Sequence, residues 1–391
     1  MRLLTRIALL LAIIVASRPG IVPAQSRATI KIATQSPLST ERAPGGEGIR
    51  LGAELAIEQL KAPLERMGFR VELLSFDDQG RPDVAVANAR NIVADRDILA
   101  VVGHLDARVA IPASEIYKEA TLAMVSPAGT GTLLTDRNLP GVSRVCGRDD
   151  VQGLVAAEFA AGTLMVKSVY VLHDGTTAAQ DVAELFKTQG ERRGLKVLGL
   201  EGVHGPADVD PLVAAIRARP PDLVFFSGRA DQAAPFWRRA HEQGVRARLL
   251  GADGLDSPDF ARMAGAAAVG TYYTSAVAPP ASMPGAPPFV EDFQRRFGRI
   301  PGLYAAEAYD ATGIVLRAIE SAAKGAAPSR EAVAAAVRRT KHQGVTGEIE
   351  FDARGDRKRA LYFVFKVVSE DPDRWDQNKV VKQLVAAPPR S

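Results

Sequence analysis

Short apolar segments alternate with longer amphipathic segments along most of the chain. In a first series, apolar runs predict strands at residues 29–33, 70–76 and 122–125, and another strand that ends at Gly103. Helical spacing of apolar residues after the turn at Pro44 predicts a long helix, and further helices are expected at residues 82–95 and 107–119. This alternation is typical of a parallel sheet with helices packed on both faces.

A second series repeats this architecture after Cys146. The pattern predicts strands at residues 168–172, 196–200, 223–226 and 249–251, and the spacing of Asp149 and Gln152 predicts a helix cap. A proline-rich stretch at residues 279–288 is interpreted as a surface connection, and helices follow near residues 289–297, 307–323 and 329–339. Residues 344–356 predict a strand and turn, residues 360–368 predict an apolar strand, and the tail beyond Asp371 is polar.

The stretch from residue 100 to residue 130 holds two strand ends and the turns that leave them. One strand ends at Gly103, and the next ends at a turn of small and hydroxyl-bearing residues between Ser126 and Thr130. In a parallel sheet, ligands bind beyond the carboxyl ends of the strands, where backbone amides and helix N-termini are available. We therefore expect a ligand site at these two turns.

Length and composition indicate a globular protein with two domains. The chain has 391 residues, of which 47% are hydrophobic and 24% are charged. Its formal net charge is +4, but the 49 basic and 45 acidic residues are interspersed and form no basic stripe with aromatic residues. We therefore expect no nucleic-acid partner.

The first 25 residues have the pattern of a secretory signal peptide. Arg2 and Arg6 precede an apolar run at residues 7–16, and small residues at 22–24 supply a cleavage site. No later segment reaches the ~18 apolar residues that a membrane span requires. The pattern predicts an exported protein, located in the periplasm.

The residues offer little support for catalysis or a metal centre. Neither a GxGxxG motif after a strand nor a GxSxG motif is present, and the only cysteine, Cys146, is interpreted as a buried thiol. His104 and His173 both follow predicted strands, and a metal pair is an alternative to two hydrogen-bonded structural histidines. The prediction is a protein without catalytic residues, metal ligands or a cofactor.

Several motifs, taken together and in order, resemble those of a known family. They are VVGHL with IPASEIY from Val101, SPAGT from Ser126, RVCGRDDVQG from Arg144, AEAYDAT from Ala306 and GVTGEIEFDARGD from Gly344. The chain resembles the type I periplasmic substrate-binding proteins of branched-chain amino acid (Leu/Ile/Val) ABC transporters, and the resemblance covers essentially all of it after the signal peptide.

The resemblance implies an α/β fold of two Rossmann-like lobes with parallel sheets, joined by a hinge of three crossings. The N-terminal lobe would comprise residues 28–147 and 278–352, and the C-terminal lobe residues 148–277 and 353–391. The ligand would lie between the lobes and be enclosed by hinge closure.

The resemblance also implies the ligand-binding positions. The first lobe would hold the carboxylate of an amino acid through a serine, a threonine and backbone amides, at Ala107, Thr130 and Ala128, and Asp253 of the second lobe would hold its ammonium. Alanine replaces the usual serine at position 107, and the lost hydrogen bond to a charged group is worth roughly 1.5–3 kcal/mol. Asp253 replaces the longer glutamate that is more usual.

Other expected cleft positions depart from the family pattern. Positions that usually carry aromatic residues fall on Gly45, Ala178 and Arg229, and the charged pair Asp106 and Arg108 flanks Ala107. We expect a pocket with fewer aromatic walls and more charge, in which Arg229 offers a bidentate fork to an anionic group. On this hypothesis the ligand is not a simple branched-chain amino acid.

The predicted function is that of a monomeric periplasmic protein that delivers an amino acid or related carboxylate to an inner-membrane ABC permease. Two alternatives remain open from the sequence. One is a binding protein for an aromatic or aliphatic carboxylate or an amide, and the other is a sensor that docks on a membrane receptor.

Overall fold

The computed structural model describes residues 28–324 and 327–388, in which a five-stranded parallel sheet comes first. Its strand order is β2-β1-β3-β4-β5, and the central strands β3 and β4 are buried on both faces because they consist of small and apolar residues. The elements of this part are β1 Ala28–Ser36, α1 Ala43–Leu60, α2 Ala62–Arg66, β2 Phe69–Asp77, α3 Pro82–Ala94, β3 Ile98–Gly103, α4 Ala107–Glu119, β4 Ala123–Ser126, α5 Leu133–Asp136 and β5 Val142–Arg144. We call this sheet the first sheet, and it confirms the predicted first series.

The second sheet has seven strands in the order β14-β13-β10-β9-β8-β6-β7, and β13 pairs antiparallel with both of its neighbours. Its elements begin with α6 Gln152–Glu158, β6 Ser168–His173, α7 Thr177–Arg192, β7 Lys196–Gly202, α8 Pro206–Ala218, β8 Leu223–Ser227, α9 Ala230–Glu242, β9 Arg248–Gly251, α10 Pro258–Ala264 and β10 Tyr272–Ser275. They continue with α11 Ala286–Phe297, α12 Ala305–Ala322, α13 Arg330–Arg339, β11 His342–Gly344, β12 Gly347–Ile349, β13 Ala360–Lys366 and β14 Lys379–Ala386. Here β11 and β12 form a separate two-stranded hairpin.

The C-terminal third contains structure that the sequence pattern did not predict. The polar tail contains β14, an edge strand whose side chains are mostly exposed, so its apolar signal is weak. The proline-rich stretch connects β10 to α11 and is partly exposed, but it also contains a short 3₁₀ helix, Pro280–Ser282, and the first residues of α11. Met283 and Ala286 of this stretch are buried in the core.

The chain passes between the two sheets three times. It leaves the first sheet after β5 and the second sheet after β10, and it returns to the second sheet before β13. The intervening helix α12 packs against α1 and against β3 and β4, so residues far apart in sequence complete the core around the first sheet. The predicted fold of two α/β units with three crossings is confirmed, whereas the exact lobe boundaries stay a prediction. None of the described helices combines the length and apolarity needed to span a membrane.

Glycines of α1 permit this close packing. A Cβ atom at Gly48 would lie 2.1 Å from the backbone oxygen of Leu303, and one at Gly52 would lie 2.1 Å from the oxygen of Ala305. Both distances are far shorter than a van der Waals contact, so a side chain at either position requires the backbones to move apart. Leu303 and Tyr304, which precede α12, line the candidate site. The position of these two residues therefore depends on the glycines of α1.

We expect Gly52→Ala to lower the free energy of unfolding by at least about 2 kcal/mol, because the steric cost exceeds the ~1 kcal/mol that alanine gains in a helix. Urea unfolding of the ligand-free protein measures this change. Gly162→Ala is the control, since no atom lies within 4 Å of a Cβ at that helical position. Equal effects of the two substitutions would show that the close packing of α1 is not stabilising.

Candidate functional site

A cleft of about 1070 Å³ lies at the carboxyl ends of strands from both sheets. On the first-sheet side, residues 105–108 follow β3, and Ala128, Thr130 and Gly131 follow β4. The amide of Ala107 begins the first turn of α4 and has no acceptor within the helix, whereas the Arg108 amide donates to Asp106. This side of the cleft therefore suits a carboxylate.

The opposite side of the cleft is acidic and aromatic. Asp253 and Asp256 follow β9, Tyr273 lies on β10, and Trp375 lies in the 3₁₀ segment between β13 and β14. Tyr304, which precedes α12, closes one end. The cleft therefore joins amides on one side to carboxylates and rings on the other.

Six of the eight predicted ligand-binding residues line this cleft, namely Asp106, Ala107, Arg108, Ala128, Thr130 and Asp253. The other two lie outside it. Arg229 precedes α9 with 73% of its side chain exposed, and its Nε is 3.1 Å from Asp231 Oδ1. Ala178 is exposed in the first turn of α7. The anion fork expected at Arg229 is thus engaged by a carboxylate two residues along the chain, and the ligand roles of all eight residues stay predictions.

The charged residues that flank Ala107 form a closed ionic group. Asp106 accepts a hydrogen bond from the backbone N–H of Arg108 and so caps α4, and its carboxylate lies 2.8 Å from both the Arg42 and the Arg108 guanidinium. Burial acts to raise the pKa of Asp106, but the two arginines outweigh it and lower this pKa to about 2. Asp106 thus pairs with both cleft arginines and fixes the first turn of α4.

The predicted helix cap at Asp149 and Gln152 is wrong, because no side chain caps the helical segment there. Instead, the Asp149 backbone N–H donates to the Thr130 carbonyl oxygen at 3.1 Å, and the Thr130 hydroxyl acts to lower the pKa of the Asp149 carboxyl. Gln152 Oε1 accepts bonds from the Asp253 backbone N–H at 3.1 Å and from the Thr274 hydroxyl at 2.8 Å. These two residues therefore connect the two sides of the cleft.

The carboxyl groups of Asp149 and Asp253 affect each other's ionisation, and no lysine or arginine of the described residues forms an ion pair with either of them. Burial raises the pKa of both carboxyls, and the charge of Asp149 raises that of Asp253 further. Asp149 Oδ1 is buried, and it has no hydrogen-bond partner in the described residues. A cationic group between these carboxylates would relieve their repulsion and satisfy this oxygen.

Aromatic residues line the cleft at positions that the sequence analysis missed. Tyr273 stacks between Phe365 and Trp375, with ring centroids 5.1 Å and 5.6 Å away, and all three residues line the cleft. A side chain at Gly45 would lie 3.3 Å from Tyr304, so that aromatic ring borders the space left by the glycine. The expectation of a cleft short of aromatic walls is therefore wrong, since rings come from β10, β13 and the C-terminal segment.

A buried ionic cluster holds the Thr130 turn in place. Asp356 lies 2.7 Å from Arg144 Nε and 2.8 Å from Arg148 Nη1, and Arg144 Nη1 donates hydrogen bonds to the carbonyl oxygens of Gly129 and Gly131. The Thr135 hydroxyl also donates to Asp356. We call Arg144, Arg148, Thr135 and Asp356 the Asp356 cluster. It joins the motif at Arg144 to the motif that ends at Asp356, and both motifs lie where the chain passes between the sheets.

Other candidate chemistry has structural partners. His104 Nδ1 is 2.9 Å from the buried carboxylate of Asp78, whereas His173 Nδ1 accepts a hydrogen bond from the backbone N–H of Gly175. Cys146 is buried, and burial raises its pKa to about 12. Over residues 28–324 and 327–388, no group of three or more histidine, cysteine and acidic side chains is arranged to hold a metal ion.

Known proteins resemble this chain over nearly its whole length. The family model described as Periplasmic binding protein matches residues 29–372. A Pseudomonas aeruginosa protein named amino acid binding protein is 33% identical over 382 residues, covering 96% of this chain and 97% of that protein. Another from the same organism, named leucine-, isoleucine-, valine-, threonine-, and alanine-binding protein, is 31% identical and covers 86% of this chain and 90% of its own.

Solved structures agree with these sequence relatives. The crystal structure of the leucine binding protein LivK from Thermotoga maritima is 27% identical, with a TM-score of 0.68, over 91% of this chain and 98% of that one. A putative branched-chain amino acid ABC transporter protein from Rhodospirillum rubrum is 26% identical, with a TM-score of 0.72, over 90% of this chain and 100% of that one. By the extent of the family match and of these relatives, the chain belongs to the periplasmic binding protein family.

Proposed function

We propose that this protein binds an amino acid in the cleft and delivers it to an inner-membrane ABC permease. The observation that carries the proposal is the arrangement of the cleft, where the amides of α4 and the Thr130 turn lie opposite Asp253 and Asp149. The carboxylate of an amino acid would bind the amides, and its ammonium would bind the acidic pair. The relatives named for amino acid binding support this assignment.

The ligand stabilises a closed form of the protein because it contacts residues from both sheets at once. Ligand binding shifts a conformational equilibrium only by the difference in its affinity for the two states, and a ligand that bridges the cleft has such a difference. No bond is broken in this function. The protein acts in the periplasm as a monomer, and the permease recognises the closed form. The signal peptide proposed for this export lies outside the described residues.

Thermal unfolding of the mature protein with candidate ligands tests the proposal. At 100 times its dissociation constant, a true ligand adds about 2.7 kcal/mol to the free energy of unfolding and raises the melting temperature by several degrees. We expect this shift with one or more α-amino acids. No shift with acetate or benzoate is expected, because neither supplies an ammonium for Asp253. Shifts with benzoate or an amide alone would overturn the amino acid assignment in favour of a binder of simple carboxylates or amides.

A further inference from the structure

The cleft carries far more negative charge than an ordinary zwitterion requires. Six aspartates line it against two arginines, Arg42 and Arg108. Both arginines pair with Asp106, so five carboxylates have no lysine or arginine within ion-pair distance in the part of the chain that the structure describes. Asp253 and Asp149 account for one ammonium. The remaining charge lies on Asp256, Asp373 and Asp376.

Asp256 is the best placed of these remaining carboxylates, because an aromatic side chain of the cleft binds it. The indole Nε1–H of Trp375 donates a hydrogen bond to Asp256 Oδ1 over 2.8 Å, and the Tyr273 hydroxyl acts to lower the pKa of the same carboxyl. Asp256 is exposed to the cleft, and no lysine or arginine of the described residues pairs with it. Tyr273 and Trp375 stack on each other at 5.6 Å, with their ring planes only 12° apart.

A carboxylate beside aromatic faces is a suitable environment for an organic cation. Aromatic rings attract ammonium and guanidinium groups through their quadrupole, and tryptophan does so most strongly. A cationic donor at the end of the ligand would form a charge-assisted hydrogen bond with Asp256, and the methylene groups of its side chain would pack against Trp375, because Phe365 and Trp375 already stack on Tyr273. A ligand with an aliphatic chain that ends in a cation fits both features, whereas a leucine side chain leaves the carboxylate unpaired.

From this arrangement we infer that Asp256, Tyr273 and Trp375 form a subsite for a cation at the far end of the ligand's side chain, so that the cleft selects a basic amino acid. This inference rests on the proposed function, because it requires the α-carboxylate and α-ammonium to bind as described above. The acidic pair receives the α-ammonium, which satisfies the buried Asp149 Oδ1, so Asp256 is left for a second cation on the same ligand.

Calorimetric titration with L-lysine and L-norleucine tests the subsite. The two amino acids have the same carbon chain, and only lysine carries the terminal ammonium. We expect lysine to bind about tenfold to a hundredfold more tightly to the wild-type protein. We expect Asp256→Asn to remove most of this preference and to leave norleucine affinity within twofold, because the asparagine oxygen still accepts the bond from Trp375.

Asp373→Asn is the matched control, since Asp373 lines the same cleft and is exposed, as Asp256 is, but no aromatic side chain of the described residues donates a hydrogen bond to it. We expect this variant to change lysine affinity by less than threefold, because Asp373 contributes only to the solvent-screened charge of the cleft. Equal losses of lysine affinity in the two variants would overturn the subsite. They would show that only the overall negative potential of the cleft attracts lysine. Norleucine or leucine binding that matches lysine binding would overturn the subsite while supporting the proposed function. Failure of every α-amino acid of the thermal screen to bind would overturn the proposed function itself, whereas binding of other amino acids without lysine would overturn only the subsite.

Discussion

Replacement of Asp356 by alanine is expected to lower the free energy of unfolding by about 3–5 kcal/mol, the cost of leaving a buried charge without its partner. Arg144 is fully buried, and Asp356 is the carboxylate in ion-pair contact with it among the described residues. Its guanidinium cannot lose a proton at physiological pH, so the charge has to remain buried or the surrounding turn has to open. Urea unfolding of the ligand-free protein measures this effect.

The matched control for this substitution is Asp136→Ala. Asp136 also pairs with Arg148, at 2.9 Å, but its side chain is 32% exposed and lies at the edge of the cluster. We expect a loss of no more than about 1 kcal/mol, because solvent already compensates such an ion pair. A loss of about 1 kcal/mol in the Asp356 variant as well would show that water compensates Arg144 after the carboxylate is removed.

The Asp356 substitution should also weaken ligand binding without touching the ligand. Arg144 holds the carbonyl oxygens on both sides of Thr130, so its displacement releases the turn that lines the cleft. Ordering that turn again on binding would cost conformational free energy. We therefore expect a lower affinity in the folded variant below its unfolding transition, measured by titration, and unchanged affinity would show that the turn is rigid without the cluster.

The alternation of strands and helices could be predicted from the sequence because it depends on local patterns. The buried strands β3 and β8 are continuous apolar runs, and each is found within a few residues of its predicted place. The edge strand β14 was missed because its side chains are mostly exposed and its pairing with β13 is not local. Trp375 was missed for a related reason, since a single aromatic residue in a charged segment shows no periodicity.

The site was partly predictable, because Ala107, Thr130 and Asp253 follow strand ends, which share one edge of each sheet. The roles of Asp149 and Gln152 could not be assigned from local sequence. Residues of these types cap helices elsewhere, and only their partners Thr130 and Asp253, the latter 101 residues from Gln152, distinguish the two roles. Arg229 was assigned to the cleft from its position along the chain, but its exposed side chain pairs with Asp231 instead. Position alone therefore did not predict where this side chain lies.

Asp253→Asn is expected to abolish the charge-assisted contact with the ligand and to stabilise the ligand-free protein at the same time. The loss of a charged hydrogen bond to the ammonium predicts about tenfold to a hundredfold weaker amino acid binding. The stabilisation follows from the raised pKa of Asp253, which burial and the charge of Asp149 cause.

The sign of the pH dependence follows from linkage. The folded protein holds a proton on Asp253 in a pH range where the unfolded chain has already released it, so stability falls as the pH rises from about 4 towards neutrality. Asparagine has no such ionisation. Since one pKa unit corresponds to about 1.4 kcal/mol, we expect the ligand-free variant to exceed the wild type by about 1–2 kcal/mol at pH 8. At pH 4 the two should be equally stable, because both carry a neutral side chain.

The ligand reverses this proton uptake. An ammonium beside Asp253 favours the carboxylate, so binding near neutral pH releases a proton, and the affinity decreases as the pH falls below the raised pKa. Titration calorimetry in two buffers of different ionisation enthalpy measures the proton release, which should be absent in Asp253→Asn. Asp376→Asn, an exposed residue of the same cleft, is the control and should keep both the release and the wild-type stability profile. A variant that binds with wild-type affinity, or that is less stable than the wild type at pH 8, would show that Asp253 supports the fold instead of the ligand.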